Sequence, residues 1–283
     1  MDDGDSGTVT RISEPAPAKL NLALHVRGKM PDGRHAIETL FAFCTDGDRL
    51  DGSFERSDAE EGGLVLIPAG PFGGDLSGIN LIEIAWEELR VRVGAASHGW
   101  VRITLTKNLP VASGIGGGSA DAAAALRLLT RLWGSDPAHA AAVAPGIGAD
   151  VPACLLSMSA RGTGAGDALT LVDDPSVAGT PVLLVNPRIA LSTAKVFAAW
   201  DGGDRGPLGD WREGRNDLEV PARALVPAIS DVIAWLAALP GANFVRMSGS
   251  GATCFALFDS EDDRDAAASA CPSTWWHLAT YLR

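Results

Sequence analysis

The residues from Lys107 to Trp133, KNLPVASGIGGGSADAAAALRLLTRLW, constrain this chain more than any others. Val101-Arg102-Ile103-Thr104-Leu105-Thr106 alternates apolar and polar side chains into them, which predicts a half-buried strand. After the loop, Ala122, Ala125, Leu126, Leu129, Leu132 and Trp133 recur at helical spacing, with Arg127 and Arg131 on another face and Gly134 as the stop. A strand, a glycine loop and a helix N-terminus together form an anion site. Glycines leave backbone N–H groups unobstructed, and the helix dipole places partial positive charge where those groups point. No Lys follows the glycines as in a P-loop, and Ser119 stands where a dinucleotide fingerprint needs its third glycine. A plain flexible turn before an Ala-rich core helix is the alternative. It accounts poorly for Gly114, Gly116, Gly117 and Gly118 lying within five residues. By itself the loop specifies a phosphate guest and no reaction.

The formal charge of −12 argues against nucleic acid or an anionic membrane as partner, and makes any well-placed basic residue more significant. Cys44, Cys154, Cys254 and Cys271 lie far apart in apolar settings without CxxC or Cys/His spacing, which predicts reduced, buried thiols. The first residues are acidic and lack an apolar core, so they do not read as a signal peptide, and no run is long enough for a membrane span. These features predict a cytoplasmic protein.

Along the chain, residues 1–7 read as a disordered tail. Strands are expected over 18–27, 37–44, 48–54 and 64–67, with a turn at Pro31-Asp32-Gly33. On the first strand Lys19, Asn21 and His25 share a face. A helix is expected over 80–93, and another opens at Asp136-Pro137 and ends near Pro145. Gly148-Ala149-Asp150-Val151-Pro152 then reads as part of a tight connection. Strands around 158–161, 168–172 and 181–186 follow, then a Gly- and Asp-rich loop over 200–215 and helices near 217–225 and 227–239. Strands over 244–247 and 253–258 flank Ser248-Gly249-Ser250-Gly251, and a helix over 261–270 precedes a last strand at 275–282. Strands and helices interleave without a strict βαβ rhythm, which indicates an α+β chain in two halves, 1–172 and 173–283.

Three separated motifs point the same way: Pro17-Ala18-Lys19-Leu20-Asn21-Leu22, the stretch Pro110 to Ala120, and Ser248-Gly249-Ser250-Gly251-Ala252-Thr253. Together they resemble the GHMP kinase superfamily. PDGRHAIETLF (residues 31–41), GADVP (148–152) and GRNDLE (214–219) narrow the resemblance to its 4-diphosphocytidyl-2-C-methyl-D-erythritol kinases, over nearly the whole chain and in order. The resemblance implies a ribosomal protein S5 domain 2-like N-terminal half, a ferredoxin-like C-terminal half and an active site in the cleft between them. It also implies transfer of the ATP γ-phosphate to the 2-hydroxyl of a CDP-methylerythritol, a step toward isoprenoid precursors outside the mevalonate route. ATP and Mg²⁺ are the implied cofactors, and the assembly is a monomer or homodimer.

The same resemblance assigns roles. Pro110, Val111, Ala112, Ser113, Gly114, Ile115, Gly116, Gly117, Gly118, Ser119 and Ala120 form the ATP loop. Ala120 replaces a second family Ser, which removes a hydroxyl but no backbone donor. Ser119 could hold a phosphate oxygen or Mg²⁺, or serve simply as helix N-cap. Asp150, among apolar neighbours, is either paired for structure or the catalytic carboxylate; the family match favours the second. A strand Lys is ordinarily a solvated surface residue, but the match makes Lys19 the catalytic cation, converging with Asp150 beside the terminal phosphate. Asn21 is expected to bind a substrate hydroxyl, His35 to hydrogen-bond cytosine, and Phe197, with Thr193 before it, to form the cytosine pocket. Phe197 reads equally as an anchor of a short helix. Arg34 stands where the family usually has Tyr; a guanidinium can stack on a base or pair with the diphosphate. Asn80 is placed near the adenine, and Ser248 and Gly249 belong to a second nest over substrate or phosphates, or to a bare structural turn. Two rivals remain at this level: a superfamily kinase acting on homoserine or a mevalonate derivative, and an inactive nucleotide-binding sensor.

Overall fold

A computed structural model of the chain describes residues 10–57, 61–174 and 176–283. The expected tail at residues 1–7 lies outside them. The strands are β1 (Thr10–Lys29), β2 (His35–Arg56), β3 (Gly62–Ala69), β4 (Gly99–Thr106), β5 (Ala160–Thr163), β6 (Ala168–Leu171), β7 (Pro181–Asn186), β8 (Ala242–Met247), β9 (Cys254–Phe258) and β10 (Trp276–Tyr281). The helices are α1 (Leu81–Val93), α2 (Gly117–Trp133), α3 (Pro137–Ile147), α4 (Val151–Leu156), α5 (Thr193–Ala198), α6 (Glu219–Leu225), α7 (Ala228–Ala237) and α8 (Glu261–Ser269). Two compact units divide the chain. One comprises residues 1–16, 48–108 and 118–155, the other 17–47, 109–117 and 156–283.

In the first unit β3 and β4 are parallel with α1 between them, and β4 pairs antiparallel with Arg49–Arg56 of β2. The α2 helix buries Ala122, Ala125, Leu126 and Leu129, as the periodicity predicts, and Gly134 closes it at φ +62°. Arg127 and Arg131, on its other side, do not simply face water. Arg127 donates to Glu14 Oε1 at 2.7 Å and to the carbonyls of Pro15 and Cys154, and Arg131 donates to Glu14 Oε2 at 2.8 Å.

In the second unit β10, β7, β9 and β8 form an antiparallel four-stranded sheet in that order, with α5 to α7 between β7 and β8 and α8 between β9 and β10. This is the β-α-β-β-α-β arrangement of ferredoxin-like folds. The apolar run of β7, residues 181–185, explains itself here. Val182 and Leu184 enter one core with Leu20 and Leu22, and Leu183 and Val185 enter another with Val196, Ile229 and Val232. A strand covered on both faces reads as a continuous apolar run.

Several sequence expectations require correction. The two strands expected over 37–44 and 48–54 are one, because Asp46-Gly47-Asp48 is held extended rather than turning. Asp48 is buried and binds Lys107 Nζ at 2.5 Å and the Asn108 N–H at 2.5 Å, which pins the segment. The α3 helix runs through Pro145 to Ile147, and the glycine-bearing connection after it ends in a short helix, α4. Six residues are too few for periodicity to reveal a helix.

Candidate active site

Three distant motifs meet in the second unit. The β1 strand brings Lys19 against the glycine loop, where its N–H donates to the Ile115 carbonyl at 3.0 Å. The loop turns through φ +78° at Gly114 and +66° at Gly116. A Cβ at Gly114 would lie 2.6 Å from the carbonyl oxygens of Ser248 and Gly251, and one at Gly116 would lie 3.0 Å from Lys19 Cε. Gly114 therefore requires glycine for conformation and for space, while at Gly116 a side chain would be strained by its positive φ and would crowd Lys19. The late motif closes the circle: Ser248 Oγ donates to the Gly114 carbonyl at 3.1 Å and accepts the Asn21 N–H at 3.1 Å, while Thr253 N–H donates to the Ser113 carbonyl. The loop's carbonyls thus face its supports.

The polar side chains form a network. Lys19 Nζ donates to Asn21 Oδ1 at 2.8 Å and stands 5.3 Å from the Phe41 ring centroid. Asn21 Nδ2 donates to Thr39 Oγ1 at 2.8 Å, and Thr39 Oγ1 to the Ala23 carbonyl at 2.6 Å. Lys19 is 3% exposed and Asn21 2%, so the sequence-level alternative of a solvated strand lysine does not hold. Asn216, of the GRNDLE motif, donates to the carbonyls of Met247 and Gly249 at 2.8 Å and braces the turn from behind. Ser250 Oγ lies 2.8 Å from Thr193 Oγ1 and links the turn to α5. The Ser248–Gly251 turn is therefore part of the loop's framework.

In the same unit, the Pro31-Asp32-Gly33 turn forms as expected, with Gly33 N–H donating to the Met30 carbonyl at 3.0 Å, and delivers His35 at the start of β2. His35 stacks on Phe197, with ring centroids 4.6 Å apart and planes 24° from parallel. Burial lowers the His35 pKa, with Lys29 adding to the effect. Phe197 also rests on the core that holds Val196, so it serves as both anchor and ring surface.

The first unit carries the remaining residues. Asp150 directly precedes α4, and its carbonyl accepts the Cys154 N–H at 3.0 Å. Ser119 is the third residue of α2 and not its cap, so its backbone N–H belongs to the helix-start group. Asn80 caps α1 through a capping box with Glu83, its Oδ1 accepting the Ile82 N–H at 2.9 Å.

Sequence reasoning missed a buried triad in this unit. Lys107 Nζ contacts Asp48 Oδ2 at 2.5 Å and Asp121 Oδ2 at 2.6 Å, all three residues being 2% exposed. Burial pushes the Asp121 carboxyl up to about 7, against the pull of Lys107 and with the repulsion of Asp48. Burial opposes the Lys107 charge, but the two carboxylates outweigh it and raise its pKa. A signal existed: Asp121 sits one helical turn from Ala125 on the buried face of α2.

Among the described residues no group of three or more His, Cys, Asp and Glu side chains is placed to hold a metal ion, and no helix is long and apolar enough to cross a membrane. Residues 80–158 match the GHMP kinases N terminal domain and residues 195–276 the GHMP kinases C terminal domain. The chain is 51% identical to the 4-diphosphocytidyl-2-C-methyl-D-erythritol kinase of Rhizorhabdus wittichii, covering 96% of this chain and 94% of that one. It is 47% identical to the enzyme of the same name from Novosphingobium aromaticivorans, covering 98% and 95%. A crystal structure of 4-(cytidine 5'-diphospho)-2C-methyl-D-erythritol kinase superposes with a TM-score of 0.81 at 33% identity, over 96% of this chain and 99% of that one. Given this agreement along the whole length, the chain belongs to the 4-diphosphocytidyl-2-C-methyl-D-erythritol kinases of the GHMP kinase superfamily.

Proposed function

We propose that the chain transfers the γ-phosphoryl group of ATP to the 2-hydroxyl of 4-diphosphocytidyl-2-C-methyl-D-erythritol, in the non-mevalonate route to isoprenoid precursors. Family membership supports this reading, and the structural observation that carries it is the seating of Lys19 and the Ser248 turn against the glycine loop. In the reaction the bond from the γ-phosphorus to the ADP oxygen breaks and one to the substrate oxygen forms, while the hydroxyl proton leaves.

Such a transfer asks the protein for position and charge more than for covalent chemistry. The N–H groups at the start of α2, Gly117 to Ser119, have no partner within the helix and suit phosphate oxygens. Lys19 neutralises charge on the transferring phosphoryl, its ammonium aimed by Asn21. Asp150 accepts the hydroxyl proton. The residue class suits Mg²⁺: a hard cation that keeps water and phosphate oxygens as ligands needs few protein donors, and the Ser119 hydroxyl is one. When bound, the ion would draw charge from the transferring phosphate. Asn80 borders the adenine, while Arg34, His35, Thr193 and Phe197, with Ser248 and Gly249, serve the cytidine substrate. The reading includes a cytoplasmic enzyme acting as monomer or homodimer, which light scattering on eluting protein decides.

The test is ADP release from ATP with 4-diphosphocytidyl-methylerythritol, homoserine, mevalonate or no acceptor. Release should depend on the first alone, with phosphorus NMR placing the new ester on the 2-oxygen. ATP binding without acceptor-dependent release would support the sensor reading. The homoserine and mevalonate alternatives are not favoured by the relatives found.

A further inference from the structure

Residues 214–218 form no strand or helix of their own, yet they are fixed on β1, the strand that carries Lys19 and Asn21. Leu24 N–H donates to the Arg215 carbonyl at 2.9 Å, and Asp217 N–H donates to the Leu24 carbonyl at 2.9 Å. Asp217 Oδ2 accepts the Val26 N–H at 2.8 Å. The result is a single parallel bridge between Leu24 and Asn216. That register points Asn216 Nδ2 at the carbonyls of Met247 and Gly249, behind the turn whose Ser248 holds the Gly114 carbonyl.

His25, between the two β1 residues that make those bonds, adds the contact that depends on protonation. Its Nε2 accepts the Arg215 N–H at 3.2 Å, and its Nδ1 lies 3.1 Å from the Gly206 carbonyl, which also accepts from Arg215 Nη2 at 3.3 Å. A backbone N–H only donates and a carbonyl only accepts. One form alone satisfies both contacts, the neutral imidazole with its proton on Nδ1. A proton on Nε2, in the other tautomer or in the imidazolium, sets two donors against each other at Arg215. The side chain is buried, and burial lowers its pKa from the ordinary 6.5. The charges acting on it are Arg215, which lowers it further, and Asp217 and Glu38, which raise it. Each carboxylate has its own cation: Asp217 accepts from Arg215 Nε at 2.6 Å, and Glu38 from Arg27 Nη1 at 2.5 Å.

We propose that His25 is a positioning residue for phosphoryl transfer: as a neutral imidazole it fixes residues 215–217 on β1 and, through Asn216, sets the Ser248–Gly251 turn against the glycine loop. This deepens the kinase reading above and rests on it. Gaining a proton loosens the segment, so acid lowers turnover through the framework, apart from any protonation of the reacting groups. Because the folded pKa lies below the unfolded one, the support that His25 gives is complete above about pH 6.5 and is lost as pH falls through the folded value.

His25→Gln keeps an acceptor and a donor but has no proton to gain; His25→Leu removes both. In the full-length enzyme at pH 8, His25→Gln should keep kcat within about twofold. His25→Leu should lower it about three- to tenfold, as loss of one or two hydrogen bonds implies, with KM for ATP and for the cytidine substrate changed less than kcat. The ratio of the His25→Gln kcat to that of the parent cancels the groups common to both. It should rise about three- to tenfold from pH 8 to pH 5, where a merely structural histidine leaves it constant. Nitrogen NMR of the parent imidazole at pH 8 should show the proton on Nδ1. A proton on Nε2, a ratio flat across that range, or a folded His25→Leu with kcat within about twofold of the parent would each overturn the proposal. If His25→Leu fails to fold, the glutamine ratio and the NMR decide. A parent chain without acceptor-dependent ADP release would instead remove the kinase reading. The tautomer, and faster hydrogen exchange of the Asp217 amide relative to His25→Gln as pH falls, would then still decide what His25 holds.

Discussion

Lys19 and Lys107 are both buried lysines, 3% and 2% exposed, and they sit in different surroundings. Lys107 is gripped by Asp48 and Asp121, each within 2.6 Å, in a group of buried charges that joins the strand before the glycine loop to the helix after it. Lys19 touches a neutral amide oxygen and an aromatic face, and its side chain runs alongside Gly116 in the loop itself. A cation held by two carboxylates has its charge spent on the fold. Lys19 lies against the loop that suits phosphate, where its charge can meet charge that arrives with a substrate. Burial alone therefore does not identify a catalytic lysine; its place relative to the glycine loop does.

The largest expected effects fall on chemistry. Asp150→Ala should lower turnover by about 10²–10⁴, the range that general-base catalysis supplies, with ATP affinity near normal in a binding titration. Unchanged turnover would remove Asp150 from the mechanism. Lys19→Met should cost about 10²–10³ in kcat, as loss of one preorganised charge does, with the melting temperature within a few degrees. If Lys19→Met instead unfolds the protein, the contrast between the two lysines collapses.

Lys107→Met should act on stability. Removing the cation strands two buried carboxylates, at about 3–5 kcal/mol by denaturant midpoint, while folded protein at saturating ATP keeps most of its kcat. Full stability with lost turnover would reverse the assignment and make Lys107 a catalytic group. A subtler test uses pH. Burial pushes the Asp121 carboxyl up to about 7 in the fold, against an ordinary value of 3.8 in the unfolded chain. Between those values the folded state binds more protons, so this group's stabilising share is complete below about pH 4 and is lost as pH rises through about 7. Asp121→Asn should flatten that part of the stability profile, and an unaltered slope would remove Asp121 as its cause. The smallest effect is expected from Ser119→Ala, a few-fold rise in KM for ATP, because one hydrogen bond is worth about 0.5–1.5 kcal/mol.

Much of this was legible in the sequence because it is local. The loop's glycines, the helical stripe of α2, the cap at Asn80 and the Pro31–Gly33 turn each depend on neighbours within a few residues. Asp46-Gly47-Asp48 misled for the same reason: its composition favours a turn, and distant residues, Lys107 and Asn108 on Asp48 and Thr280 on Asp46, hold it straight. The α4 helix was hidden by its shortness. Trp200 was passed over because its ring contact is with His35, far away in the chain.

By itself the sequence determined a phosphate-binding loop on an α+β chain and, through three ordered motifs, the kinase family, since backbone conformation and periodicity are written in short stretches of residues. Only the tertiary structure decided which lysine joins Asp48 and Asp121 and which lies along the glycine loop, and which aromatic ring flanks His35. Those outcomes depend on burial and on partners brought together across the chain, where the cost of an unpaired charge or N–H sets what each residue can be used for.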